Sequence, residues 1–240
     1  YYQSVTFEKF LIPQFEYIDF DEGRLLHKEV NDIDVASELN FVWHGDRGHL
    51  ASFPSNLIYA LNNTSKIYNI KIIFIYNGAS IKPAKISGLT VKQEHIEWSF
   101  ESIHHNMMSA HVGIVTSLTK VSRMCGWLNK YSFGRQHNYS DLVIRFKNCS
   151  NSARAVLFYQ YAVPAVFDMS PDHFMFNASP GLCFSCHSKA GWKDNISRLI
   201  NDSKVRLEAV KNGQRVFCQY YDPIKTVVPL IEYLSSLKEK

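Results

Sequence analysis

The fold class of this 240-residue chain is decided by residues 39–49, LNFVWHGDRGH. The segment opens with an apolar run of strand length, and the glycines and charged residues behind it indicate a tight turn. Residues 53–61 follow with apolar side chains at helical spacing, where we expect Ser52 to cap the helix and Pro54 to lie in its first turn. Strand, glycine turn and helix in this order predict the first unit of a parallel α/β sheet.

The same alternation of strand and helix patterns continues along the rest of the chain. Residues 70–76 (IKIIFIY) are too apolar for a strand with one face in water, so we expect them to lie in the centre of the sheet. The other predicted strands cover 91–98, 111–116, 165–168 and 182–186. Further helices are predicted at 99–110, 153–161, 171–177, 189–200, 204–219 and 223–237. This order predicts an α/β, Rossmann-like fold, with a mainly parallel sheet of about six strands, right-handed crossovers and helices on both faces.

Two parts of the chain lack this periodicity. Residues 1–38 hold aromatic and acidic residues in short pieces, which indicates an N-terminal arm or interdomain linker before a Rossmann-like domain at 39–240. Residues 118–147 contain glycines, aromatics and many polar groups without a repeat. A loop of that length in a compact domain is usually functional or an insertion.

Composition and charge exclude several classes of protein. Apolar residues make up 46% of the chain and charged residues 20%, which allows a sizeable core and excludes a disordered polymer. The net charge is +4 and the 26 Lys and Arg residues are scattered, so we expect no nucleic-acid partner. No apolar run reaches the roughly 18 to 20 residues that a membrane span requires.

The cysteines and the first residue bear on where the protein works. Five cysteines at irregular spacing argue against a disulfide framework and favour a reducing compartment. The chain starts at Tyr1 and shows no signal-peptide pattern. We therefore expect a cytoplasmic protein, with peripheral attachment to a membrane as an option, and a chain that is a piece of a longer one.

In a parallel sheet of this kind, ligands bind beyond the carboxyl ends of the strands, where loops and helix N-termini meet. The turn at 43–49 (WHGDRGH) is predicted to lie at such a position. A phosphate can rest on its backbone amides, with Arg47 supplying two parallel donors. The turn matches neither the Walker pattern nor GxGxxG, and the alternative that its glycines and polar residues merely form the turn stays open.

A second basic cluster lies at 147–154 (KNCSNSAR), directly before an apolar helix. Ser152 is the expected cap of that helix, while Lys147 and Arg154 place two positive charges near its N-terminus. Two such charges beside a helix N-terminus suit a diphosphate group.

The order of these motifs resembles the C-terminal, donor-binding domain of GT-B fold glycosyltransferases of the group 1 type. The spacing K-x-x-S-x-x-x-R at 147–154 precedes a helix, then a small residue and proline, then a strand ending in a turn. The segments IEWSFES (96–102) and AHVGIVTS (110–117) fit the same order, and residues 191–221 resemble the family's C-terminal helices. The resemblance covers about residues 39–238.

This resemblance implies transfer of a sugar from a nucleotide-sugar donor to an unknown acceptor, as in polysaccharide biosynthesis. It places the diphosphate at the glycine turn and the helix N-terminus, and the base near 96–98. Glu101 is a further contact for the ribose or, alternatively, a surface residue favoured by the helix dipole. The implied donor-binding residues are His44, Gly45, Arg47, Trp98, Glu101, Lys147, Ser152 and Arg154. Because arginine, lysine and helix N-termini can stabilise the departing diphosphate, we expect neither a metal nor a cofactor.

The chain departs from the family pattern in two ways. Many retaining members place a ribose-binding glutamate seven residues before the proline that ends the helix, and Leu157 holds that position here. A GT-B enzyme also works in the cleft between two domains. We expect the N-terminal acceptor domain, which would meet a glycan or lipid-linked glycan, to lie outside this chain. Candidates for a general base are His44, His49, His104 and His105. Surface and capping roles are the alternative for these histidines.

The segment CFSCH at 183–187 matches the attachment motif of c-type haem. It lies in a predicted buried strand, where cysteine packs as a small apolar residue, so we expect neither haem nor zinc. We likewise expect the aromatic residues Phe158, Tyr159 and Tyr161 in the core. The alternative to an enzyme is a non-catalytic nucleotide-binding or scaffold module with the same fold.

Overall fold

The computed structural model of the chain describes residues 25, 33–34, 36–50, 53–116, 153–169, 173, 176 and 184–237. The predicted long loop at 118–147, the implied donor-binding residues Lys147 and Ser152, and most of the predicted helix at 171–177 lie outside these residues. Of the predicted arm at 1–38, Leu25 and Ile33 pack against the hydrophobic core. The division of the chain at residue 38 therefore stays a prediction.

Within the described residues, six parallel strands form the sheet, in the order β3-β2-β1-β4-β5-β6. Their bounds are Leu39–His44 (β1), Ile70–Tyr76 (β2), Lys92–Glu97 (β3), Val112–Val115 (β4), Ala165–Asp168 (β5) and Ser185–Cys186 (β6). The chain runs outward from β1 to β3, crosses back to β4 and continues to β6. This doubly wound order confirms the predicted Rossmann-like α/β fold.

The helices of the described residues are Arg47–Leu50 (α1), Ser55–Thr64 (α2), Phe100–Ser109 (α3), Ala153–Gln160 (α4), Lys189–Asn201 (α5), Ser203–Val216 (α6), Pro223–Thr226 (α7) and Val228–Leu237 (α8). A π-helical turn at Phe217–Tyr221 joins α6 to α7. The predicted start at Ser99 is confirmed by a reciprocal cap, in which the Ser99 hydroxyl accepts from the Ser102 N–H and the Ser102 hydroxyl accepts from the Ser99 N–H.

Three local predictions are wrong. The turn after β1 contains the short helix α1. This helix was not predicted because its polar sequence lacks the apolar spacing that indicates a helix. α2 begins at Ser55 with Pro54, rather than Ser52, at the capping position. The single helix expected at 223–237 is divided between α7 and α8, since Pro229 has no N–H to donate and clashes with a continuous preceding turn.

Helices cover both faces of the sheet. α2 packs against α5, whereas α4 is wedged between β4 and α6. Glycines allow this wedge to form: a Cβ on Gly113 of β4 would lie 2.6 Å from the Phe158 ring, and a Cβ on Gly213 of α6 would lie 2.1 Å from the Tyr159 ring. α4, whose N-terminus carries Arg154, is therefore held tightly against the middle of the sheet.

The most apolar strand lies inside the sheet but not at its centre. β2 is buried along almost its whole length, as its sequence predicts, and it is flanked by β1 and β3. The central positions belong to β1 and β4, which corrects the expectation for residues 70–76. The carboxyl ends of these two central strands mark the point where the strand order reverses.

Candidate functional site

The carboxyl end of β1 leads into a turn that favours glycine. β1 is buried down to His44, and the N–H of Gly45 then donates to the Ile75 carbonyl in β2 over 3.2 Å. Gly45 has a φ of +151°, and a Cβ there would lie 3.2 Å from Nη1 of Arg154 and 3.4 Å from the Trp43 ring. The missing side chain therefore lets Arg154 approach the backbone of the turn.

Arg154 reaches this turn from the first turn of α4. Its Nη1 donates to the Thr116 carbonyl over 2.7 Å, and its Nη2 lies 3.1 Å from Nδ1 of His49. Thr116 follows β4 directly, and its hydroxyl accepts from the Trp43 indole over 2.9 Å, which ties the ends of β4 and β1 together. The half-buried guanidinium of Arg154 thus lies where the two central strands end.

The contact with Arg154 defines how His49 is protonated. A guanidinium only donates hydrogen bonds, so Nδ1 of His49 accepts and Nε2 carries the proton. A general base would need a lone pair, and Arg154 already occupies the one at Nδ1. The remaining Nε2–H is a donor, which suits contact with an anion better than abstraction of a proton.

Arg47 brings a second guanidinium to the same edge of the sheet. It lies in α1 and is half-buried, and its Nη1 donates to the Gly78 carbonyl behind β2 over 3.1 Å. Among the residues that the structure describes, no carboxylate lies within ion-pair distance of this guanidinium. Arg47 therefore keeps its positive charge while a neutral acceptor holds it in place.

Glu97, the last residue of β3, is a candidate that the motifs did not single out. Its Oε1 accepts from the Gly78 N–H over 2.7 Å, and its Oε2 accepts from the N–H and the hydroxyl of Ser80 over 2.9 and 2.8 Å. These donors, the Ser80 N–H foremost, hold the pKa of the Glu97 carboxyl below its ordinary value. The sequence contains a signal for this contact: the turn NGAS at 77–80 follows β2, and Glu97 ends the neighbouring parallel strand. Tyr76, the last residue of β2, pairs with Glu97.

Two other predicted site residues lie just beyond β3. Trp98 is half-buried, and its ring lies 5.2 Å from that of Phe100, whose side chain is 64% exposed. Glu101 is exposed in the first turn of α3, where its own N–H and the Ser99 hydroxyl hold its pKa below the ordinary value. Within the described part of the chain, no hydrogen bond joins Trp98 or Glu101 to the two arginines. The nucleoside contacts that the resemblance implies for them stay predictions.

The remaining histidine candidates occupy different surroundings. His44 is 1% exposed and its ring lies 5.2 Å from that of Phe158, so it packs in the core beneath the turn. His104 and His105 are exposed on α3, and Nδ1 of His104 lies 3.2 Å from the Tyr161 hydroxyl. Burial raises the pKa of Tyr161 to about 12, so this hydroxyl stays protonated at neutral pH.

The position that a ribose-binding glutamate would hold is apolar and closed. Leu157 is 2% exposed and belongs to the hydrophobic core. The prediction that Phe158, Tyr159 and Tyr161 lie in the core is confirmed, since none of them exceeds 1% exposure. α4 therefore contributes Arg154 at its N-terminus and otherwise packing.

The cysteine motif behaves as a piece of core. Phe184 and Cys186 are buried, as predicted, and the Asn195 side chain donates to the Cys186 sulfur over 3.3 Å. Cys183 lies outside the described residues. Within the described ranges, no group of three or more His, Cys, Asp or Glu side chains is placed to hold a metal ion. No helix in those ranges is long and apolar enough to cross a membrane.

The structure has counterparts among solved structures, although no protein-family model and no curated protein sequence matches the chain. One is the catalytic domain of cholesterol-α-glucosyltransferase from Helicobacter pylori, at a TM-score of 0.50 and 10% identity over 76% of this chain and 98% of that chain. Another is HepE from Anabaena in complex with UDP and glucose, at a TM-score of 0.52 and 14% identity over 82% of this chain. The match spans 48% of the HepE chain.

This chain has the fold of one domain of GT-B glycosyltransferases. The expected resemblance is thereby confirmed at the level of architecture. At 10 to 14% sequence identity, this structural similarity shows the fold alone. The activity has to be inferred from the site.

Proposed function

We propose that this chain binds a nucleotide-sugar donor and forms the donor-binding domain of a glycosyltransferase. The observation that carries the proposal is the contact of the Arg154 guanidinium with the Gly45 turn at the carboxyl ends of β1 and β4. Ligands of doubly wound sheets bind where the strand order reverses, and β1 and β4 form that point here. A solved structure of the same fold contains UDP and glucose, which agrees with such a ligand.

The diphosphate of the donor would lie against the Gly45 backbone, between the guanidinium groups of Arg154 and Arg47. The Nε2–H of His49 would add a neutral donor to this group. A guanidinium stays charged throughout the physiological pH range, so both arginines stabilise the negative charge that develops as the sugar–phosphate bond breaks. Lys147 and Ser152 also belong to the residues that we propose contact the phosphates.

The nucleoside would extend from this point toward β3. Two strand spacings separate β1 from β3, which is about 10 Å and suits the length of a nucleoside diphosphate. Trp98 would contact the base and Glu101 the ribose, since both follow the carboxyl end of β3. The acceptor, a glycan or a lipid-linked glycan, would be presented by an additional domain that also supplies the general base.

Isothermal titration calorimetry with UDP, GDP, their sugar conjugates and the free nucleosides tests the proposal. We expect one nucleoside diphosphate to bind with a Kd below about 1 mM and its nucleoside to bind at least tenfold more weakly, because charge-assisted bonds to phosphate supply about 1.4 kcal/mol or more. The proposal fails if no nucleotide or nucleotide sugar binds at millimolar concentration.

A non-catalytic nucleotide-binding or scaffold module is the second candidate, and the buried Leu157 favours it. No carboxylate holds the position from which many retaining relatives bind the ribose. A donor labelled in its sugar separates the two functions. Release of the nucleoside diphosphate with transfer of the label by the full-length protein would identify an enzyme, whereas saturable binding without turnover would identify the module.

A further inference from the structure

We propose that Glu97 is a positioning residue for Arg47, and that it links the base end of the donor site to its phosphate end. The inference rests on the proposed function, because Arg47 is assigned there to the donor diphosphate. Glu97 itself is not placed against the ligand. It would act through the turn at 77–80.

The two residues meet at a single glycine. The N–H of Gly78 donates to Oε1 of Glu97 over 2.7 Å, and the carbonyl of Gly78 accepts from Nη1 of Arg47 over 3.1 Å. Gly78 has a φ of +81°, and a Cβ there would lie 3.3 Å from the Arg47 guanidinium. The conformation of this one residue therefore determines where the acceptor for Arg47 lies.

Glu97 provides three of the hydrogen bonds that hold this turn against the sheet. Asn77, Ser80 and Ile81 are exposed, whereas the small Ala79 side chain is buried in the hydrophobic core and supplies the apolar contact of the turn. Glu97 binds the turn through three hydrogen bonds, and the turn adds one of its own from the Lys82 N–H to the Gly78 carbonyl over 3.3 Å. Without the carboxylate, the Gly78 carbonyl would move and Arg47 would lose its fixed acceptor.

The charge of Glu97 makes the positioning role distinguishable from a direct one. A carboxylate near an anionic ligand opposes binding by Coulomb repulsion, so its removal should strengthen binding if charge alone matters. Removal should weaken binding if the carboxylate works by holding Arg47. The residue after Glu97 is Trp98, so any shift at the end of β3 reaches the proposed base contact as well.

A double-mutant cycle on UDP affinity tests the inference, with Glu97→Ala, Arg47→Ala and the double variant titrated by calorimetry. We expect Glu97→Ala to weaken UDP binding about three- to tenfold, and to have little further effect once Arg47 is removed. Glu97→Gln keeps one acceptor oxygen and should restore part of the affinity. Glu94→Ala is the matched control, since it removes the same charge from the same strand, where Glu94 pairs with Lys71 over 3.1 Å.

Each outcome of the cycle is decisive. Unchanged or tighter UDP binding in Glu97→Ala overturns the inference, and so does an additive cycle, in which Glu97 matters equally without Arg47. If Glu97→Ala does not fold, as judged by circular dichroism, the Glu97→Gln cycle with Arg47→Ala decides by the same criterion. Absence of binding by every nucleotide and nucleotide sugar to the wild-type chain overturns the proposed function instead, and the two failures are thereby distinguished.

Discussion

The amino and carboxyl edges of the sheet hold their basic side chains in different ways. At the amino edge, Lys71 pairs with Glu38 and Glu94 over 3.5 and 3.1 Å, and Lys92 pairs with Glu38 over 2.5 Å. The hydrogen bond from Lys92 lowers the pKa of Glu38, and although burial opposes it, pairing with Glu94 and Glu38 raises the pKa of Lys71. These charges neutralise one another.

At the carboxyl edge, the arginines are held by backbone carbonyls. Arg47 donates to the Gly78 carbonyl and Arg154 to the Thr116 carbonyl, at 3.1 and 2.7 Å. A neutral carbonyl fixes the position of a guanidinium without cancelling its charge. The amino edge therefore uses charge for stability, whereas at the carboxyl edge backbone carbonyls hold the two guanidinium groups in position.

The largest effect is expected from removing a charge at the carboxyl edge. Arg154→Ala should weaken binding of the nucleoside diphosphate about ten- to a hundredfold, since a charge-assisted hydrogen bond contributes about 1.5 to 3 kcal/mol. Binding of the free nucleoside should change little. Calorimetry measures both, and Arg215→Ala, which removes an exposed arginine from α6, controls for net charge.

A parallel loss for nucleoside and diphosphate, together with a lower melting temperature, would contradict the binding role of Arg154. It would mean that this guanidinium stabilises the fold as the amino-edge charges do. The difference between the two edges would then disappear.

Gly45→Ala should disturb the same edge through the backbone. The φ of +151° is unfavourable for alanine, and its Cβ would lie 3.2 Å from Arg154, so we expect a loss of about 1 to 3 kcal/mol in unfolding free energy. Chemical denaturation measures this loss. Gly191→Ala is a control, because Gly191 lies in α5 at a φ that alanine adopts and its Cβ would meet only the Ser188 hydroxyl at 3.3 Å. Equal stability of the wild type and Gly45→Ala would show that the turn does not need glycine.

His95, in β3 between the two edges, should make stability depend on pH. Burial lowers its pKa, and the Tyr76 hydroxyl lies 2.9 Å from its Nδ1. The Ala84 N–H donates to the same hydroxyl over 2.7 Å. A lowered folded pKa means that the unfolded chain binds the proton more tightly, so stability is complete above about pH 6.5 and declines below it.

Denaturation curves at pH 7.5 and 5.5 measure the contribution of His95. The wild type should lose more stability between these values than His95→Gln does. An identical loss in both proteins would assign the pH dependence to other groups.

The smallest effect is expected at the amino edge. Glu38→Gln should lower the unfolding free energy by about 0 to 1 kcal/mol at pH 7 and leave nucleotide affinity unchanged, since the ion pairs are partly exposed. The lowered pKa of Glu38 means that its contribution is present above its unfolded pKa and is lost as the pH falls through the folded one. Wild type and variant should therefore converge in acid. A change in UDP affinity in Glu38→Gln would contradict the conclusion that the charges of the amino edge serve stability alone.

Much of the fold could be predicted because its signals are local. The apolar run of β2, the Ser99 cap of α3 and the spacing of α5 depend on residues within a few positions of one another. The helix α1 was not predicted because its four residues are mostly polar. Its position follows from the strand before it rather than from its own pattern.

The residues of the candidate site also divide into those with a local sequence signal and those without one. Gly45, Arg47 and Arg154 could be singled out, because glycine and arginine near a predicted helix N-terminus have a known chemistry toward phosphate. The burial of His44 was not readable, since a histidine at the end of a strand can point into the core or out of it. Glu97 was missed because its partners lie on a turn 17 to 19 positions earlier in the chain.

Periodicity and turn residues in the sequence alone therefore determined which segments became strands and helices, and with them the α/β class. Only the tertiary structure decided which strands are neighbours, and hence that Arg154 meets His49 across 105 positions of sequence. The reason is physical: a helix or turn is stabilised by contacts between close neighbours, whereas the order of strands depends on how the whole chain buries its apolar faces. The two guanidinium groups reach one edge of the sheet through that order.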